Sequence, residues 1–343
     1  MKAAILVEQK KPLEIGDLAL PKLDFGQVLV EIHASGICGS QLNEIDGVKG
    51  ADKFLPHLMG HEGGAVVQEV GPGVTRVKPG DHVVMHWRKA PGHQSPTPFY
   101  RWGDRKVNAG WVTTFNEMAV VSENRLTPIP ADVDFEVAAL YGCAITTGFG
   151  VINNDAALRI GESVAVFGAG GVGLGVLLGA HLAGAHPIVA IDVVPWKLDA
   201  ARKYGATHTI LSGKEPPIEA LRAIVGKEGV DVAVDGTGVS AVIEAAYEAT
   251  NATGRTIMVG VPRHDEKIRI DSLPLHFEKV LTGSHGGDAD PARDIPRYLR
   301  LAAQGRFDLK GMITHRYALD QVNDAIADMR AGKVLRAIIR MKP

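Results

Sequence analysis

Apolar residues in the first third of the chain fall in short runs separated by turn residues. Residues 28–32, 65–70 and 81–85 read as β-strands, cut apart by Gly71-Pro72-Gly73 and Pro79-Gly80. The opening Met1-Lys2-Ala3-Ala4-Ile5-Leu6-Val7 turns charged again at Glu8, too soon for a signal peptide, and reads as a first strand. An all-β, barrel-like unit is predicted to about residue 121. From Ser163 the pattern changes. Apolar strands at 164–167, 188–191, 208–211, 230–234, 256–259 and 279–282 are nearly continuous, as a sheet buried on both faces requires. Helices are predicted between them, at 172–183, 217–225 and 241–249, so this part reads as a doubly wound parallel sheet. Helical stretches at 296–303 and 319–330 and a final strand at 336–341 close the chain.

Length and charge then narrow the partners. A chain of 343 residues exceeds what one core usually serves, so two domains are expected. Its 37 Lys and Arg nearly balance 39 Asp and Glu, leaving no basic face for nucleic acid or anionic membrane. The longest apolar run, residues 164–185, is broken by glycines and His181 and falls short of the roughly 20 apolar residues of a membrane helix. A soluble, cytoplasmic protein with a small-molecule partner is expected. The two cysteines, far apart in the chain, form no disulfide framework.

Gly168-Ala169-Gly170-Gly171-Val172-Gly173 lies between a predicted strand and a predicted helix, where glycines let a backbone approach a pyrophosphate at a helix N-terminus. Asp192 ends the next strand, placed to accept hydrogen bonds from ribose hydroxyls and to repel a 2′-phosphate. Val193 and Val194 follow it, with no arginine, which favours NAD over NADP. The bland alternatives are a glycine-rich turn with no nucleotide and an ordinary strand-end carboxylate. Cys38, His61 and Cys143 supply two thiols and an imidazole, a set suited to Zn²⁺ with the fourth position open for water or substrate. Taken singly, each cysteine reads equally well as a small buried apolar residue, and the histidine as structural.

Together these pieces form a pattern. Gly36-Ile37-Cys38-Gly39-Ser40, Gly60-His61-Glu62-Gly63, Gly142-Cys143 through Thr146-Thr147-Gly148 and the later glycine loop stand in the order and spacing of the zinc-dependent alcohol dehydrogenases. The chain resembles that branch of the medium-chain dehydrogenase/reductase superfamily over nearly its whole length, down to Ile313-Thr314-His315-Arg316 and Gly332-Lys333-Val334-Leu335-Arg336. The resemblance implies a GroES-like β-rich catalytic domain from residues 1–144 and 286–343, and a Rossmann NAD-binding domain from 145–285. It implies hydride transfer between an alcohol and NAD, giving an aldehyde or ketone, with one catalytic zinc on Cys38, His61 and Cys143. Ser40 takes the position of the hydroxyl that passes the alcohol proton outward. Glu62 lies behind the metal, where it either approaches the ion or tunes its ligands. Thr147, Gly168, Gly170, Gly171, Val172, Gly173, Asp192 and Lys197 fall to the cofactor, and Arg336 to its pyrophosphate. Relatives assemble as dimers or tetramers, so a homo-oligomer joined through residues 255–284 is expected.

The chain departs from the family pattern in three places. Gln41 stands where many relatives have an aspartate that orients the ligand histidine; its amide oxygen is expected to accept the same hydrogen bond without the charge. Gly39 and Asn43 replace an arginine and a histidine, which alters the proton path. The four cysteines of a structural zinc are missing; in their place residues 87–111 carry Arg88, Lys89, Arg101, Arg105 and Lys106 among aromatic residues. That stretch is read either as a solvated surface loop or as a recogniser of anionic or polyhydroxylated substrates. The alternative functions are a zinc-independent NADPH quinone or enone reductase and a non-catalytic NAD-binding protein. The intact ligand set argues against both.

Overall fold

A computed structural model describes residues 1–214 and 217–341. The chain divides into two compact units, Met1–Cys143 with Asp290–Pro343, and Ala144–Ala289. The first unit runs through β1 (Lys2–Leu6), β2 (Glu14–Asp17), β3 (Gln27–Gly36), α1 (Gly39–Ile45), β4 (His57–Leu58), β5 (Glu62–Val70), β6 (His82–His86), β7 (Phe99–Trp102), β8 (Arg105–Asn108), β9 (Met118–Ser122), β10 (Leu126–Pro128) and α2 (Phe135–Tyr141). The second contains α3 (Ala144–Gly150), β11 (Val164–Phe167), α4 (Gly171–Leu182), β12 (Ile188–Asp192), α5 (Pro195–Lys203), β13 (His208–Leu211), α6 (Pro217–Val225), β14 (Val230–Asp235), α7 (Ser240–Ala249), β15 (Thr250–Met258), α8 (Leu273–His276) and β16 (Val280–Gly283). α9 (Pro291–Ala303), β17 (Ile313–Ala318), α10 (Val322–Arg330) and β18 (Arg336–Arg340) return to the first unit.

Period-two alternation builds the first unit. Along β3, Val28, Val30, Ile32 and Ala34 are buried, and the first three meet Ala65 and Val67 of β5, Val83 and Met85 of β6 and Ile339 of β18 in one core. These strands belong to a seven-stranded sheet ordered β10-β6-β5-β3-β18-β17, with β9 also paired to β3. A second sheet of five strands runs β2-β1-β4-β8-β7. In the second unit all six strands are parallel, in the order β13-β12-β11-β14-β15-β16. Chain direction across that sheet reverses between β11 and β14, and such a switch point opens a crevice at the carboxyl ends of the strands.

Three expectations are corrected. The stretch 87–111 is not simply a loop: Tyr100 and Val107 pair in register, point into a core with Ile5 and Leu58, and so make β7 and β8 a hairpin of the five-stranded sheet. Cys38 directly precedes a helix, α1, that the strand-rich pattern of this region does not predict. That helix is short and mostly polar, with Gln41 and Ile45 as its buried residues, which hides its period. The helix expected from 296 begins at Pro291; a proline at the first helical position is normal, whereas Pro296 sits inside the helix. Among the described residues no single helix is long and apolar enough to cross a membrane.

Candidate functional site

The metal-ligand candidates come from three separate segments of the first unit. Cys38 is the last residue before α1, His61 the last before β5, and Cys143 follows α2. Gly142 is what lets the end of α2 settle there: a Cβ on it would lie 2.4 Å from the carbonyl oxygen of Met85 and 2.7 Å from the Cα of Glu62. Any side chain would push Cys143 away from the strands that carry Glu62 and its neighbour His61. As built, one donor atom from each of Cys38, His61 and Cys143 lies within 4.8 Å of the others.

Burial and mutual contact set the charges. The Cys143 thiol donates to Cys38, which holds Cys38 well below the usual thiol range against the cost of its burial. The same hydrogen bond, helped by burial, holds Cys143 well above that range. Burial pushes His61 down, but the neighbouring Cys38, with the negative charges of Glu62 and Glu44, carries its pKa up. His61 Nε2 is a buried atom with no hydrogen-bond partner. Two sulfur donors and an orphaned imidazole nitrogen, brought together as a set of three, fit a zinc whose fourth position falls to water or substrate.

Glu62 and Arg336 form a layer behind these ligands. Arg336 Nη2 donates to Glu62 Oε1, and the two residues are 4% and 0% exposed. Burial raises the Glu62 pKa despite the opposing guanidinium. Burial also works against the Arg336 charge, which Glu62, Cys38 and Cys143 more than restore. Arg336, which the resemblance assigns to the pyrophosphate, holds a buried carboxylate through Nη2, and its Nε is buried without a partner.

The Gln41 expectation is corrected as well. Its Oε1 accepts from the Cys38 backbone N–H at 2.8 Å, so it is Nε2 that faces His61 Nδ1. The end of the amide that meets the imidazole is therefore a donor, not the expected acceptor. Ser40 and Asn43, three residues apart on α1, share a helix face, and Ser40 Oγ is buried without a partner.

The predicted cofactor residues, Arg336 excepted, all lie in the second unit. Gly170 caps α4, which opens with Gly171 and Val172; a Cβ on Gly173 would stand 1.9 Å from the carbonyl oxygen of Gly168, so only glycine closes this turn. Asp192 accepts from the N–H of Ala169 at 2.7 Å and of Val194 at 2.8 Å, which ties the glycine loop to the end of β12. A cavity of about 290 Å³ opens there, lined by Gly168, Asp192, Val193, Ser212, Thr237 and Val242 among others. Thr147 is buried on α3, and Lys197 lies on α5 over the ring of Trp196, 6.0 Å from its centroid. Ser212 and Thr237 were not anticipated. Their signal was available: Gly236-Thr237-Gly238 follows an apolar strand as the first glycine loop does.

On the exposed hairpin, Arg101 stands directly opposite Lys106, and Arg105 opposite Trp102. Strand β8 pairs with β4 at His57, four residues before His61 in the chain, so the hairpin borders the metal cluster's own segment.

Two family models match the chain. Residues 171–304 match the family model described as zinc-binding dehydrogenase, and residues 24–131 the alcohol dehydrogenase GroES-like domain. The chain is 33% identical, over a 366-position alignment covering 99% of both chains, to an S-(hydroxymethyl)glutathione dehydrogenase of Escherichia coli. Among solved structures it is similar to an alcohol dehydrogenase zinc-binding domain protein from Burkholderia ambifaria, with a TM-score of 0.92 and 31% identity over 100% of this chain and 99% of the other. The benzyl alcohol dehydrogenase of Acinetobacter calcoaceticus matches with a TM-score of 0.89 and 29% identity, over 99% of each.

Proposed function

Because this chain belongs to the zinc-binding alcohol dehydrogenase family, and is therefore an NAD-dependent oxidoreductase acting on alcohols, we propose that Cys38, His61 and Cys143 hold its catalytic zinc, and that residues 145–285 hold NAD. The observation that carries this reading is the convergence of the only two cysteines in the sequence with His61. When bound, zinc supplies a Lewis acid that eases loss of the alcohol proton, and NAD supplies the hydride acceptor. The chain's own residues do the rest. Ser40 Oγ accepts the alcohol proton as it gives its own hydroxyl proton to water, because Asn43 on the same helix face has no titratable group to extend the relay. Glu62 and Arg336 hold a balanced charge pair behind the thiolates. Asp192, already fixed by two backbone donors, presents its remaining lone pairs to the adenosine ribose, with Gly168, Gly170, Gly171, Val172 and Gly173 at the pyrophosphate and Thr147 and Lys197 as further cofactor contacts.

For the substrate, the proposal is an alcohol with an anionic tail, of the kind in the name S-(hydroxymethyl)glutathione dehydrogenase. Arg101, Arg105 and Lys106 support it: like charges opposite one another across a strand pair repel, and an anion would relieve them. The test follows NADH formation from benzyl alcohol, a polyol and S-(hydroxymethyl)glutathione. The expected result is turnover, with KM for the anionic substrate raised about tenfold in Arg101→Ala/Arg105→Ala, a loss of roughly 1.4 kcal/mol, and KM for benzyl alcohol unchanged. Equal effects on both would refute the substrate assignment, and no turnover with NAD or NADP would refute the function. A cytoplasmic location, which keeps both cysteines as thiols, and a homodimer or homotetramer joined through residues 255–284 complete the proposal.

A further inference from the structure

We propose that Gln41 is a positioning residue that loosens the hold of His61 on a metal, so that zinc at this centre exchanges faster than it would with a carboxylate in the same place. This inference rests on the zinc assignment above. The Gln41 amide is pinned at one end: Oε1 accepts from the Cys38 N–H at 2.8 Å, while the Gln41 N–H donates back to the Cys38 carbonyl at 3.1 Å. Turning the amide over would set its NH₂ against the Cys38 N–H, donor facing donor. With the oxygen turned toward Cys38, the end of the amide that faces His61 is the NH₂, which has donors alone, and Nε2 gives one of them to His61 Nδ1. Gln41 is 1% exposed, leaving little water to soften the arrangement.

A neutral imidazole has one N–H and one lone pair. If Nδ1 accepts from Gln41, the ring proton sits on Nε2, the buried nitrogen that has no hydrogen-bond partner and that remains for the metal. A neutral histidine that binds metal through Nε2 carries its proton on Nδ1 and donates it to an acceptor. At Nδ1 that proton would meet the N–H of Gln41. Metal binding therefore costs one of the two grips of the amide, on Cys38 or on His61. A carboxylate of the same length has acceptors alone and could take the Cys38 N–H and the His61 Nδ1–H together.

Zinc transfer from the loaded full-length protein to excess chromogenic chelator measures the consequence. Gln41→Glu is expected to release zinc at least tenfold more slowly than the wild type, in line with the roughly 10- to 100-fold effects of residues that support metal ligands. A merely structural role would make Glu, like any other replacement, release zinc faster or at an unchanged rate, and either outcome would overturn the proposal. NMR of nitrogen-labelled histidine in the zinc-free wild type, with His61 assigned through His61→Asn, separates hydrogen bonding from the added charge and needs no Gln41 variant to fold. Recorded at alkaline pH, where the ring is neutral, the proton is expected on Nε2; finding it on Nδ1 there would overturn the proposal. A wild type that takes up no zinc would instead overturn the zinc assignment itself.

Discussion

At the scale of single residues, the site is held by a few buried charges that depend on one another. Glu62 and Arg336 are the clearest case, because neither has solvent to fall back on. Removing one partner leaves the other charge buried and uncompensated, a change that costs about 3–5 kcal/mol, whereas removing both is far milder. Glu62→Gln is therefore expected to lower the urea-unfolding free energy of the zinc-free chain by about 3 kcal/mol. Adding Arg336→Met should recover much of that loss, giving strong non-additivity in the double-mutant cycle; additive losses would show that the pair is not the unit described. Residue types and spacing made the ligand set legible, since thiols and imidazoles have narrow chemical uses. The partners of Gln41 and Arg336 were not legible. Which end of an amide meets which neighbour, and whether a guanidinium near the chain's end faces inward, are set by packing across distant segments.

Elements were legible wherever a regular period survived. The strands of the parallel sheet, being apolar throughout, stand out in the chain, and the glycine loop between the first strand and its helix marks the reversal around which the sheet is wound. The fold class follows from that alternation alone. What period could not show were short elements whose shape depends on contact: α1, with few buried residues, and the β7–β8 hairpin, whose inward Tyr100 and Val107 are masked by charged neighbours. Strand β6 carries a further consequence. His86 at its end is fully buried, donates from Nδ1 to the Arg88 carbonyl at 2.7 Å, and meets the Thr127 hydroxyl at Nε2. Burial pushes its pKa from 6.5 down to about 4. The unfolded chain takes up this proton before the folded one does, so the stabilising contribution is complete above pH 6.5 and is lost as pH falls toward 4. The loss amounts to about 3 kcal/mol at 1.36 kcal/mol per unit. His86→Gln can keep both hydrogen bonds without titrating. Denaturant unfolding between neutral and acid pH is expected to show a shallower slope for this variant than for the wild type; equal slopes would remove His86 as a cause.

At the scale of the whole molecule, β16 is the edge of the parallel sheet, and its outer side has no strand partner among the described residues. Beside it Leu273 and Phe277 are each 63% exposed and Val280 is 40% exposed, an apolar strip next to unpaired backbone. A second copy pairing there would bury both. Light scattering on the eluted protein is expected to give a multiple of 36.5 kDa, and Val280→Lys to shift it toward the single chain. A wild type that runs as a monomer would contradict this assembly. The central claim is chemical, however, and concerns the one place where both cysteines of the sequence meet His61. Metal analysis of the purified protein tests it most directly. The account predicts one zinc per chain in the wild type and almost none in Cys143→Ala, with the variant still folded. No zinc in the wild type, or zinc retained in full without Cys143, would contradict it.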